Sequence, residues 1–349
     1  MLGGLPVAAM LWAAMKLSMR HVLIACLWLV AIVLSAVSLP LWGESTVPNL
    51  APLEHLRIGY LWVAIGIAIS GLFLRQRLLS VVATLILVLN LWFVLPTLNE
   101  GADHPPGSLH FSLLHANIWY RNPTPDAIAA MLNQQKPDIA VMLETFHKKN
   151  EPWLPALEPR WPYLVDCGEE ECANMILSRW PMTVLGRKSS WHNTKGIPAT
   201  LAVRVHHPDG DFTLVASHLV QPFDPVFQAL EAAWLARYLS TLPPPVVLTA
   251  DLNSAPWSPL FRRLERESGL TQIAPTGPTW PSGPLNPFGI PIDHMLGSPG
   301  VSAAHVRRLP PFGSDHLALL AEIALTPQAV GPAKPAGEGG GTAALVPTP

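Results

Sequence analysis

Three apolar stretches crowd the first hundred residues, at positions 22–42, 58–74 and 78–98, and none contains a Lys, Arg, Asp or Glu. At about 1.5 Å of rise per residue, roughly 20 helical residues cross a hydrocarbon core about 30 Å thick, and about 17 is near the lower limit. One such stretch would suit a buried helix of a soluble protein. Three in succession predict three transmembrane helices, the middle one near the shortest acceptable length.

Basic residues near a membrane are retained on the cytoplasmic side. Lys16 and Arg20 precede the first stretch, and Arg75 and Arg77 lie in the short turn between the second and third, while the first connecting loop offers only Arg57. That bias predicts a cytoplasmic N-terminus, so three crossings deliver everything after residue 100 outside the cytoplasmic membrane, into a periplasm where a second membrane exists. A cleaved signal peptide competes for the first stretch, but its apolar run is long for one and cleavage would leave the soluble part on the same side. A transporter or channel fits poorly, because the spans carry few polar groups, Asn90 foremost.

The boundaries expected are a membrane anchor over residues 1–100, a soluble domain over 104–325, and a disordered tail over 326–349 made of Pro, Gly and Ala with too few large apolar residues to build a core. Cys26 falls in the first span as packing. Cys167 and Cys172 lie in the exported domain, where an oxidising compartment permits a disulfide; two cysteines alone make a poor zinc site.

In the soluble domain, short runs rich in Val, Ile and Leu alternate with helical patterns, as in a mixed α/β (α+β) fold. The runs predict strands at 109–118, 139–144, 175–178, 200–206, 212–218, 246–251, 292–296 and 317–323, with helices at 126–135 and 226–242. Thr124 or Pro125 opens the first helix and Pro243–Pro245 stops the second. No internal repeat stands out.

Several of these runs end in one ionisable or amide residue before a loop begins. Leu-Leu-His-Ala-Asn-Ile stops at Asn117, Ile-Ala-Val-Met-Leu-Glu at Glu144 and Leu-Val-Ala-Ser-His at His218, while Leu-Thr-Ala-Asp-Leu-Asn supplies Asp251 and Asn253, Pro-Ile-Asp-His supplies Asp293, and Gly-Ser-Asp-His supplies Asp315 and His316. Singly, each is a loop cap or a solvated side chain. Together, each follows an apolar strand, and the series spans some two hundred residues.

In that order the residues resemble the endonuclease/exonuclease/phosphatase superfamily, which includes deoxyribonucleases, abasic-site endonucleases, inositol-phosphate phosphatases and neutral sphingomyelinases. The resemblance covers about residues 109–323. Thr249-Ala-Asp251-Leu-Asn253 is similar to the family's Gly-Asp-Phe/Leu-Asn, Gly313-Ser-Asp315-His316 to its Ser-Asp-His, and Asn174-Met-Ile-Leu-Ser178-Arg179-Trp-Pro181 to its strand ending in Leu-Ser-Arg. Ala250 replaces a Gly, Leu143 replaces a frequent Gln, and Ile292 stands where an Arg is common. Ala250 narrows the backbone conformations open to that turn. The resemblance implies a four-layer sandwich, two stacked and mostly antiparallel β-sheets flanked by helices, with the site at one end.

It also implies a metal-dependent hydrolase of phosphoesters. Hard oxygen ligands suit Mg²⁺, with Mn²⁺ as substitute, so Glu144 is the expected principal ligand, Asn117 sits beside it, and Asp315 joins a second position. His316 is the expected general base, held by Asp293. Asp251 and Asn253 orient nucleophile and phosphate, His218 donates a hydrogen bond to a phosphoryl or leaving oxygen, and Arg179, with Lys188 and Lys195, supplies a basic rim for phosphate.

Residues 101–325 carry 16 Lys and Arg against 20 Asp and Glu, a formal −4, which is not the footprint of a duplex-binding protein. Nucleic acid is therefore a disfavoured partner, and a lipid headgroup or small phosphoester at the bilayer is the favoured substrate, with Trp153, Trp161, Trp191, Trp257 and Trp280 as aromatics for core or membrane contact. The rivals are a periplasmic nuclease and a catalytically silent membrane scaffold. No obligate protein partner is evident.

Overall fold

The computed structural model describes residues 7–39, 48–98, 109–146, 150–168, 172–188, 196–273 and 277–326. The expected tail, Trp191, Lys195 and the last residues of the first apolar stretch lie outside them.

Three helices open the chain: α1 (Val7–Ser38), α2 (Arg57–Phe73) and α3 (Arg77–Val94). Within them and the 3-10 turns that flank them, Met19–Ser38, Leu50–Phe73 and Arg77–Thr97 are long and apolar enough to cross a membrane. Small residues let the helices approach closely: Ala31, Ala64 and Ala83 are buried between them, and Gly71 faces Ser80 with no room for a Cβ.

A polar knot ties the far ends together. Arg57 is buried, donating through Nη1 to the Ser38 carbonyl (3.2 Å) and to Asn90 Oδ1 (3.1 Å), and through Nη2 to Glu54 (2.5 Å), with its guanidinium over the Phe93 ring. Asn90 in turn donates to Ser38 Oγ at 2.9 Å. A buried guanidinium needs such partners, because leaving one charge unpaired costs several kcal/mol, on the order of 3–5.

The rest is two six-stranded sheets. The first has the order β11 (Val301–Arg308), β12 (Leu319–Leu325), β1 (Leu109–Asn117), β2 (Ile139–Leu143), β4 (Asn174–Ser178), β3 (Tyr163–Asp166). The second runs β5 (Met182–Lys188), β6 (Ala199–His207), β7 (Gly210–His218), β8 (Val246–Asp251), β10 (Asp293–Gly297), β9 (Thr271–Gln272). Only the β1–β2 and β7–β8 neighbours are parallel. Helix α4 (Pro125–Gln135) covers the outer face of the first sheet, and α5 (Pro225–Ser240) with α6 (Pro259–Ser268) covers the second. The four-layer sandwich expected from the resemblance is the fold observed.

Strand alternation explains the layers. Along β1, Leu109, Phe111 and Leu113 face the second sheet, while Leu114 and Ala116 face α4. On β8, Val247 turns inward and Leu248 and Ala250 turn toward α5 and α6. Phe111 stacks on Phe212 across the gap, with ring centroids 4.6 Å apart.

The sequence reading has no counterpart for β3, β5, β9, β11 or α6. All four missed strands are sheet edges. Edge strands bury less and carry polar side chains, as in Val301-Ser-Ala-Ala-His-Val-Arg-Arg308, so the apolar signal is diluted. Helix α6 is capped by Ser258 and ended by Gly269 in the left-handed region, but its Arg- and Glu-rich outer face hides the short apolar stripe of Leu260, Phe261 and Leu264. Cys167 and Cys172 are buried and joined in a disulfide. Trp153, Trp161 and Trp257 are core residues, while Trp280 is partly exposed.

The inter-sheet stack gives a stability test. Phe212→Ala is expected to destabilise the domain by about 3–5 kcal/mol, the usual cost of truncating a buried aromatic, as read from denaturant unfolding followed by tryptophan fluorescence. A loss below about 1 kcal/mol would contradict the tight inter-sheet packing.

Candidate active site

The inner faces of the central strands are apolar until their last positions at one end of the sandwich, where polar residues take over. His115 and Asn117 continue the inward series of Leu113, His218 that of Leu214 and Ala216, and Asp251 that of Val247. Antiparallel β10 contributes its first residue, Asp293, on the same face as Met295. Pairing sets these ends level, with His218 opposite Asp251 on one side and Asp293 opposite Asp251 on the other, and with Asn117 opposite Leu143, the residue before Glu144. The site is thus the mouth of the inter-sheet cleft.

Asn117 links the two sheets. Its Nδ2 donates to Glu144 Oε1 (3.0 Å) and to Asp251 Oδ2 (3.1 Å). The other Glu144 oxygen accepts from the backbone N–H of Tyr120 at 3.1 Å. Glu144 has a φ of 62°, a left-handed conformation that turns the chain off β2 at the rim.

Asp251 Oδ1 accepts the Asn253 N–H (2.9 Å), and Asn253 Nδ2 donates to the Leu219 carbonyl (2.8 Å). His218 Nε2 lies 3.5 Å and His316 Nε2 3.7 Å from Asp251 Oδ2. Ala250, which stands for the family's Gly, sits in regular strand pairing with Ser217 and His294 and buries its methyl against the outer helices. The turn residue with positive φ here is Asn253, at 48°, so the substitution leaves the loop geometry intact.

Asp293 is fully buried between two imidazoles. His316 Nδ1 lies 2.8 Å from Oδ2 and His115 Nε2 2.9 Å from Oδ1. Ser314 fixes the His316 loop, since its hydroxyl donates to the Asn117 carbonyl (2.7 Å) and accepts from the His316 N–H (3.0 Å). Gly313, at φ 92°, makes that turn where a Cβ would strike Asn122 and Thr124.

The electrostatics follow from this crowding. Burial opposes the charged imidazolium of His316, but the carboxylates of Asp293 and Asp251 outweigh it and push its pKa up to about 10. Burial also works against the charged form of Asp293, yet His316 and His115 hold that carboxyl far below the usual range. Asp251 goes the other way: burial first, then the neighbouring Asp293, raises it, against the pull of His316 and His218.

Asp251, Asp293 and His316 offer ligand atoms within 4.8 Å of one another. Both Asp293 oxygens are engaged by imidazoles, and those of Asp251 and Glu144 each accept an amide N–H but keep a second lone pair. Asp315 Oδ2 accepts from Trp280 Nε1 at 3.2 Å, while its buried Oδ1 finds no hydrogen-bond donor among the described residues. An unsatisfied buried carboxylate oxygen, one residue before the His316 of that group, is a hard donor of the kind that suits a divalent cation of the Mg²⁺ or Mn²⁺ type.

Of the residues singled out in the sequence, the structure brings Asn117, Glu144, His218, Asp251, Asn253, Asp293 and His316 into one connected cluster, with Asp315 on the same loop as His316. It does not bring Arg179. That guanidinium pairs with Asp138 at 2.6 Å, before β2, whereas Glu144 follows the strand's other end, about 20 Å away at strand rise. Because β4 runs antiparallel to β2, the site end of β4 is Asn174, not the Leu-Ser-Arg end. Lys188, on edge strand β5, pairs with Thr200 at the site end of the sheet. His115 was missed, although its place two residues before Asn117 puts both on the same strand face.

The sequence model of the Endonuclease/Exonuclease/phosphatase family matches residues 114–316, more than half of the chain. Among solved structures, an endonuclease/exonuclease/phosphatase family protein from Bacteroides thetaiotaomicron is 15% identical, covers 63% of this chain and 99% of its own, and superposes with a TM-score of 0.51. A protein of the same description from Bacteroides vulgatus is also 15% identical, covers 62% and 100%, and gives 0.51. At that identity the likeness shows the fold. No curated protein matches significantly.

Two measurements check the site. Arg179→Ala is expected to leave phosphoester turnover within about twofold, as for an exposed residue outside the site; a large loss would return it to the phosphate rim. In protein stripped of divalent cations, a raised pKa keeps the proton on below about 10 and releases it only above. The ¹⁵N shifts of His316 are therefore expected to stay those of an imidazolium through about pH 8, and titration near 6.5 would break the account.

Proposed function

The chain belongs to the endonuclease/exonuclease/phosphatase family, and from that premise we propose that it is a membrane-anchored, metal-dependent phosphoesterase acting on phosphate mono- or diesters outside the cytoplasmic membrane. The carrying observation is the continuous polar cluster Glu144–Asn117–Asp251–His316–Asp293 at the mouth of an otherwise apolar cleft. Lipid headgroups and small phosphoesters are the favoured substrates, supported by the net negative domain and the three apolar helices.

Glu144, Asp315 and Asp251 would hold the cation, which when bound neutralises the phosphoryl oxygens, acidifies water, and offsets one of the carboxylates that keep His316 protonated. His316 Nε2, which points toward Asp251, takes the proton of the attacking water, while Asp293 keeps the Nδ1–H in place and stabilises the resulting imidazolium. The water oxygen joins phosphorus and the ester oxygen departs. Asn117 and Asn253 fix the orientation of Glu144 and Asp251, and His218 donates to a phosphoryl or leaving oxygen. His115 clamps the second oxygen of Asp293, so the carboxylate cannot rotate away from His316.

The reading is tested with the full chain in detergent or nanodiscs on a panel of phosphomonoesters, phosphodiesters, phospholipid and single-stranded DNA, with Mg²⁺ or EDTA. His316→Ala is expected to lower turnover by about 10²–10⁴, the usual worth of a general base, Asp251→Asn to act in the same direction, and EDTA to abolish turnover reversibly. Full activity in either variant defeats the residue assignment. Preferential hydrolysis of DNA, with steep salt dependence, would favour the nuclease alternative.

A further inference from the structure

The helices touch the catalytic domain at the end of the sandwich that carries the site. The Ala255 N–H donates to His55 Nδ1 (3.1 Å) and Trp257 Nε1 to the Glu54 carbonyl (2.7 Å), both on the segment that follows Asn253. Further along, Trp62 of α2 donates through Nε1 to the Pro287 carbonyl (3.1 Å), and its ring lies 5.7 Å from that of Phe288. The segment bearing Phe288 runs from Trp280, which holds Asp315, to Asp293. Anchor and site share one rim.

Depth follows from helix geometry. Trp62 is five residues beyond Arg57, the first residue of α2, so it sits about 7 Å along the axis. Phe288 therefore lies beside the candidate span rather than above it, at the level where tryptophans concentrate in membrane proteins. Leu285 and Phe288 are 65% and 53% exposed there. On the opposite flank, past His218, Phe223 and Val226 are 82% and 59% exposed, at the start of α5, which lies against the Pro48–Leu56 turn that leads into α2. Scattered exposed apolar residues are ordinary on a surface, but large ones flanking a polar cleft where apolar helices attach mark a contact surface. The other end of the sandwich is polar, with Asp138, Arg179, Asp209 and Asp211 at the strand turns.

We propose that this rim rests in the headgroup layer of the leaflet the helices cross, so that the cleft opens onto the bilayer and takes a phosphoester borne by a membrane amphiphile. The substrate half rests on the phosphoesterase reading; the docking half does not. Leu285, Phe288, Phe223 and Val226 enter the acyl boundary, and the phosphate of the lipid reaches Asp251 and His316 without leaving the leaflet. Water joins phosphorus and the ester oxygen leaves with a proton, as above.

The docking half is read without turnover. In the full chain carrying Cys26→Ser, single cysteines at Phe288, Phe223 or Asp209 are labelled with bimane and reconstituted in nanodiscs containing lipid with a nitroxide at the headgroup or shallow acyl position. Strong quenching is expected for Phe288→Cys and Phe223→Cys and little for Asp209→Cys, which the nine residues of β7 place about 30 Å from the rim. Quenching at the two rim sites no greater than at Asp209 overturns the proposal.

The substrate half is read with the triple variant Phe223→Ser, Leu285→Ser, Phe288→Ser, assayed on phosphatidylglycerol vesicles and on soluble bis(p-nitrophenyl) phosphate. Vesicle turnover is expected to fall by about tenfold or more, the scale of losing several buried apolar side chains, while the soluble diester changes little. Equal effects on both, or none, overturn it. If the unmodified chain hydrolyses neither substrate, the substrate half falls for phosphodiester lipids; if it also fails on p-nitrophenyl phosphate, the phosphoesterase reading falls with it, while quenching still decides the docking.

Discussion

A carboxylate buried without solvent must find hydrogen-bonding partners, and Asp293 finds two imidazoles. Much of the site's geometry answers to that demand. His316 is oriented by one Asp293 oxygen, leaving its other ring nitrogen toward Asp251; His115 takes the second oxygen and brings β1 of the first sheet against β10 of the second. Asn117, two residues on, then reaches both Glu144 and Asp251. The pairing that stabilises a buried charge is also what registers one sheet on the other at the cleft mouth.

Much of this was legible in the sequence, and the parts that were not share a cause. The interior strands announce themselves because both faces are buried, as in Val246-Val-Leu-Thr-Ala-Asp251, and their terminal polar residues stand out against the apolar run. Edge strands β3, β5, β9 and β11 have one side open to water and lose that contrast. Arg179 was misjudged because a motif carries no direction: an antiparallel strand presents opposite ends to the site, and only pairing tells that Asn174, not Ser178, lies beside Leu143. His115 was readable by strand parity, since it shares the face of Asn117, but a histidine inside an apolar run suggests packing unless its partner across the cleft is known.

The three apolar helices are built into the rest of the architecture. Arg57 gathers Ser38, Glu54 and Asn90 at the end of the three-helix unit, and the next residue groups, Glu54 and His55, take hydrogen bonds from Trp257 and Ala255. A charge in the first connecting loop that reads from sequence as a topological signal is in the structure a buried fastener. The loop after β8 is braced by the segment leading into α2 through one backbone group, the Ala255 N–H, and one side chain, the Trp257 indole.

The cleft mouth draws Asn117 from one sheet and Asp251 from the other, and its last member, His316, lies near the end of the folded chain. No shorter length of polypeptide contains the whole cluster. A nascent chain emerging from the ribosome holds half a cleft, and the inward faces of its strands are still seeking partners. The site is therefore complete only when the second sheet closes on the first, and any activity it carries would be a readout of completed folding, absent from every partly synthesised form.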